Sequence, residues 1–183
     1  QLFCCCQLTK KLMYKRKLKM PPEKYKALNL YINQRPYFKN LVVFIDKQFP
    51  KPVMWIFYGT LAVLAVRLDI RVIPCGLIPW IDFLIVTLIR NRLNYKRPFE
   101  AIGFNPIVFH SSGRSCPSRH ASSSVIITIA VYYIWPLLGI ITGIISIFVC
   151  VSRVLTGVHY IKDVVLGVLI SIFIGILSFF IIL

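Results

Sequence analysis

The chain has 183 residues, room for one domain, and is 57% hydrophobic with a mean hydropathy of +0.74. That composition excludes an ordinary soluble domain and points to a bilayer. Lys and Arg number 22 against 6 acids, a formal net charge of +16, so a two-metal carboxylate site would be hard to build.

Residues 1–50 read as a basic arm. Twelve of the Lys and Arg precede Val53, against Glu23 and Asp46 alone. Beside apolar spans such an arm is expected to touch anionic lipid headgroups rather than nucleic acid. The opening Gln-Leu-Phe-Cys-Cys-Cys shows neither the charged start nor the small-residue cleavage site of a signal peptide. Around Tyr25 to Tyr31, the apolar Leu28, Leu30 and Ile32 predict a short interfacial helix. The six cysteines, at 4, 5, 6, 75, 116 and 150, lack zinc-type spacing and are given no site.

Residues 51–183 read as the membrane domain. Val53 to Val66 is apolar but short, so its helix is expected to begin upstream, nearer Leu41. Val72 to Ile89 is apolar except for Asp82 and makes a second span. Ala121 to Ser152 is uncharged for thirty-two residues, with Pro136 and Gly139 near its middle, which predicts two helices joined by a tight turn. Val164 to Leu183 carries no charge over twenty residues, enough to cross a hydrocarbon layer of about 30 Å. The expected architecture is all-α, an integral membrane bundle of about five transmembrane helices plus the interfacial helix. The ends of the second and fourth spans and the starts of the third and fifth should then meet on one face. Gly139 with Gly143, and Gly167, Ser171 and Gly175, form small-residue rows suited to close helix approach in lipid.

Three polar segments interrupt this apolar pattern. Arg90 to Arg97 holds four cations in eight residues, and Pro98 restrains Arg97 to an extended conformation. By itself the cluster fits a membrane anchor. Ser115-Cys116-Pro117-Ser118-Arg119-His120 stands at a helix start, where free N–H groups and the helix dipole favour an anion. Ser152-Arg153 and His159 with Asp163 form the third. The four-residue spacing of His159 and Asp163 predicts one shared helix face, with the carboxylate orienting the imidazole. This segment alone fits a structural ion pair as well as an enzyme. His110, the remaining histidine, reads as a loop residue.

Taken in order, Arg-x6-Arg-Pro, Pro-Ser-Arg-His and Ser-Arg-x5-His-x3-Asp resemble the type 2 phosphatidic acid phosphatase superfamily. Its consensus is Lys-x6-Arg-Pro, Pro-Ser-Gly-His and Ser-Arg-x5-His-x3-Asp. Two positions depart. Arg90 replaces Lys and keeps the charge. Arg119 replaces Gly: if an unusual φ or a close backbone approach requires the glycine, activity is in doubt, and otherwise Arg119 becomes a further phosphate ligand, the reading preferred here.

The resemblance implies a metal-independent hydrolase, without cofactor, acting on a lipid phosphate monoester or diphosphate in the cell membrane. His159 would be the nucleophile, Asp163 its orienting partner and His120 the general acid and base. Arg90, Arg97, Ser118, Arg119 and Arg153 would hold the phosphate. The alternatives are a non-catalytic membrane protein that binds lipid phosphate, or a relative of the vanadate-binding haloperoxidases.

Overall fold

The computed structural model describes residues 22–182. The Cys4–Cys6 cluster and half of the arm's cations lie outside them. All the described elements are helical: α1 (Pro22–Asn33), α2 (Pro36–Gln48), α3 (Pro50–Val66), α4 (Val72–Leu93), α5 (Pro98–Ile102), α6 (Arg119–Ile134), α7 (Pro136–Leu155) and α8 (Ile161–Ile176), whose last turns widen through Ile182.

Prolines set several of these starts. Arg35, Arg97 and Trp135 each precede a proline and leave the helical region, the first two for extended backbone (ψ 92° and 160°) and Trp135 with ψ 88°, which ends whatever came before and begins α2, α5 and α7. Phe49 is the exception. It stays helical before Pro50 (φ −66°, ψ −30°), and its N–H donates to the Ile45 carbonyl at 3.0 Å. Hence α2 and α3 make one apolar run, Pro36–Val66, and the first span does begin upstream of Val53.

Four runs are long and apolar enough to cross a membrane: Pro36–Val66, Val72–Ile102, Pro136–Leu155 and Ile161–Ile181. The remaining expected crossing is α6. With 16 residues it is about 24 Å long, and it occupies the middle of the bundle, packed against α3, α4, α7 and α8. Large apolar side chains such as Trp55, Leu88, Ile147, Leu169 and Phe173 face outward. Small and polar ones such as Thr142, Ser146, Ser122 and Ser171 are buried. This is the distribution expected where lipid rather than water surrounds the bundle, and the chain is a multi-pass integral membrane protein.

Close approach explains the small residues. The turn at Trp135 folds α7 back on α6 so tightly that a Cβ on Gly139 would lie 2.4 Å from the Cα of Tyr132. A Cβ on Gly167 would lie 2.7 Å from the main-chain oxygen of Ser118, at the start of α6. Between them, Asp82 on α4 accepts the hydroxyls of Ser122 on α6 (2.6 Å) and Ser171 on α8 (3.0 Å). A buried carboxylate needs such donors, and here they join three helices. Replacing Gly167 with Ala is expected to cost about 1–3 kcal/mol, because main chain has to move. A lower unfolding temperature of the detergent-solubilised protein would show it.

The helix α1 docks on the end of the bundle where α8 begins. Tyr25 is buried there, its hydroxyl accepts the Ile161 N–H at 3.2 Å, and its ring meets Tyr160 edge-on at 5.4 Å.

Candidate active site

The three polar segments converge at this end of the bundle. Arg90 closes α4 and donates from Nη1 to the Pro117 carbonyl at 3.3 Å. Arg97 caps α5 from extended backbone, and its Nε donates to the Gly113 carbonyl at 3.1 Å. Glu100 steadies the same corner, accepting the N–H groups of Gly113 (2.6 Å) and Arg97 (3.3 Å). Arg153 comes from the last turn of α7. All three guanidinium-bearing residues are 6% exposed or less.

His159 is 2% exposed and stands in a turn, not on a helix. Gly157 (φ +75°) takes the left-handed conformation that ends α7, and a Cβ there would meet the Phe104 ring at 2.8 Å. The chain then reverses, the His159 N–H donates to the Arg153 carbonyl at 3.1 Å, and α8 begins at Ile161. The expected shared helix face for His159 and Asp163 is therefore corrected: the glycine stop intervenes, and only Asp163 is helical. The imidazole Nδ1 lies 3.9 Å from Asp163 Oδ2, an ion-pair distance rather than a hydrogen bond.

Asp163 instead joins two segments. Its Oδ2 accepts the Ser115 hydroxyl and, at 3.1 Å, the Tyr160 N–H. Its main-chain carbonyl accepts the Ser118 N–H at 2.9 Å. Ser118 thereby becomes the residue before α6, whose first-turn N–H groups have no partner within the helix. His120, in that first turn, is exposed at the mouth of an apolar groove of about 670 Å³. Val53, Phe57, Trp80 and Phe83 line the groove with Arg119 and His120.

Electrostatics bind these groups into one site. Burial, reinforced by Arg97 and Arg90 and opposed by Asp163, holds the His159 imidazole down at about 4. It is therefore neutral near pH 7. Among the buried polar atoms without a hydrogen-bond partner in the described residues are the possible donors Arg97 Nη1, Arg153 Nε, Ser118 Oγ, His159 Nδ1 and His110 Nδ1, and the acceptor Asp163 Oδ1. Buried donors of this kind, beside an excess of buried cations, suit an oxyanion.

The sequence profile of the PAP2 superfamily matches residues 72–182. The chain belongs to the PAP2 superfamily. No curated protein matches it. Among solved structures it is similar to the first transmembrane PAP2 type phosphatidylglycerolphosphate phosphatase from Bacillus subtilis. The TM-score is 0.66 at 23% identity, covering 86% of this chain and 81% of that one. It is also similar to Aquifex aeolicus LpxE, with a TM-score of 0.67 at 24% identity over 85% of this chain and 92% of that one. At such identities the likeness establishes the fold.

Within this PAP2 fold, Arg90, Arg97, Ser118, Arg153, His159 and Asp163 are buried at this end of the bundle, His120 is exposed at the groove, and Arg119 lies at the rim. Its guanidinium sits over the Phe83 ring at 5.6 Å, facing the groove. Its backbone is ordinary α-helix, so nothing at this position requires glycine. Four other residues take part that sequence reasoning did not assign. Ser115 and Glu100 hold the segments together as described. His110 lies in the field of Arg97 and Arg153, which add to burial in lowering its imidazole. Asp46, on α2, pairs with Arg153 at 3.4 Å.

Proposed function

We propose that this PAP2 protein is a membrane-embedded phosphatase that hydrolyses a phosphate monoester or diphosphate of a lipid through a phosphohistidine. The observation that carries the reading is a neutral, buried His159 in the field of buried Arg97 and Arg90, with buried Arg153 bonded to its N–H through the main chain. The apolar groove leading from His120 between α3, α4 and α6 supports a lipid substrate. Phosphatidic acid, phosphatidylglycerophosphate and undecaprenyl diphosphate all present the phosphate that such a site would hold.

In the proposed reaction, Nε2 of His159 attacks phosphorus as the bond to the leaving oxygen breaks. His120 gives that oxygen its proton. The same imidazole then takes a proton from water, whose oxygen attacks the phosphohistidine and frees inorganic phosphate and neutral His159. Arg90, Arg97, Arg153 and the Ser118 end of α6 stabilise the charge on the equatorial oxygens. Protein in detergent, incubated with each of the three lipids, should release phosphate from at least one. Rapid quenching should trap a labelled, acid-labile adduct. No phosphate release and no adduct from any of them would sink the proposal.

Arg119 enters this scheme as a rim cation. Replacing it with Gly, the usual residue of the motif, is expected to lower kcat/KM by less than about tenfold, since a half-exposed charge contributes about 1 kcal/mol. Lipid titrations of the variant should show the change mainly in KM.

A further inference from the structure

Asp46 is a buried carboxylate, 3% exposed, in a helix whose neighbouring Leu41 and Phe44 face outward. A charge in such a place is expensive unless it is engaged, and all of its contacts go to the end of α7. Its Oδ1 lies 3.4 Å from Arg153 Nε and accepts the Ser152 hydroxyl at 3.2 Å. Its main-chain carbonyl accepts from Arg153 Nη2 at 3.1 Å.

Arg153 is therefore held by one hydrogen bond from Nη2, with the Asp46 carboxylate beside Nε at ion-pair distance and no hydrogen bond between them, and Nη1 makes no hydrogen bond to the described residues. The five donors of a guanidinium form a rigid planar fork, so a bond at Nη2 and a charge beside Nε on the same edge together bias the direction of Nη1. Simple charge neutralisation would need only a carboxylate nearby. Here a main-chain acceptor on Nη2 adds direction to the carboxylate beside Nε. Neither belongs to residues 72–182, the part of the chain that the family profile matches.

We propose that Asp46 is a positioning residue, which aims Arg153 Nη1 at the substrate's phosphate from the first span. The inference rests on the assignment of Arg153 to the phosphate in the proposed function.

The two roles open to Asp46 predict opposite signs. If it merely neutralised Arg153, removing its charge would leave a stronger cation and tighter anion binding. If it aims Arg153, removing its charge loosens the guanidinium and weakens binding of an anion that resembles the transition state. Asp46→Asn keeps the shape and the main-chain carbonyl, so it isolates the charge.

The measurement is vanadate affinity, by titration calorimetry on the full chain in detergent, for wild type, Asp46→Asn, Arg153→Lys and the double variant. The expected result is an affinity about tenfold weaker in Asp46→Asn, with less than about a twofold further effect of that change in the Arg153→Lys background. Asp46→Glu, which restores the charge, should recover part of the loss. Unchanged or tighter vanadate binding in Asp46→Asn would overturn the proposal, as would equal losses in both backgrounds. Because the readout is binding, it separates from turnover: a wild type that binds vanadate but hydrolyses no lipid phosphate defeats the phosphatase reading and leaves this test intact.

Discussion

Replacing His159 with alanine is expected to abolish both turnover and the covalent phosphoenzyme, a loss of about 10⁴-fold or more. The size follows from the arrangement. His159 is buried in the field of Arg97 and Arg90, with its Nδ1 toward Asp163. His120, at the groove, is assigned the proton transfers, and His110 stands in a loop. Quenching of the variant in alkaline detergent, which preserves phosphohistidine, after brief exposure to phosphate-labelled lipid should find no label on protein, where wild type carries it. Unfolding temperature and vanadate affinity, measured alongside, distinguish a lost nucleophile from a lost fold. Label appearing in His159→Ala at the wild-type level would refute the assigned nucleophile.

The second large effect has a different signature. His120→Ala should reduce steady-state turnover of a lipid phosphate by about 10²- to 10⁴-fold, the usual contribution of a positioned acid and base. The adduct itself should persist. With an activated aryl phosphate, whose leaving oxygen needs no proton, the first step should run close to its normal rate and the second should stall. Protein label then accumulates to about one per chain and decays slowly on dilution into unlabelled substrate. An unaltered rate of decay would remove His120 from the water step. Together the two substitutions separate formation of the adduct from its breakdown.

Much of the fold was legible in the sequence because lipid leaves so few choices for an apolar stretch. The uncharged run from Ala121 to Ser152 could only be two helices with a break at Pro136, and the structure turns at Trp135. The three segments also named the residues that converge, since charge beside apolar spans is costly enough to be conspicuous.

What the sequence concealed was local geometry and long-range pairing. Periodicity alone put His159 and Asp163 on one helix face, although Gly157, two residues before His159, was an available signal that α7 stops there. Ser115 reads as one more small loop residue until its hydroxyl is seen on Asp163. Asp46 stands more than a hundred residues from Arg153, and no local pattern joins them.

Asp163 has a mechanical consequence. It grips the start of α6 through its main-chain carbonyl, on Ser118, and belongs itself to the first turn of α8. The residues assigned as acid and as nucleophile are therefore mounted on a common bracket rather than on two independent helices. Sliding α6 along α8 would have to stretch the bond between the Ser118 N–H and the Asp163 carbonyl before the two histidines could separate.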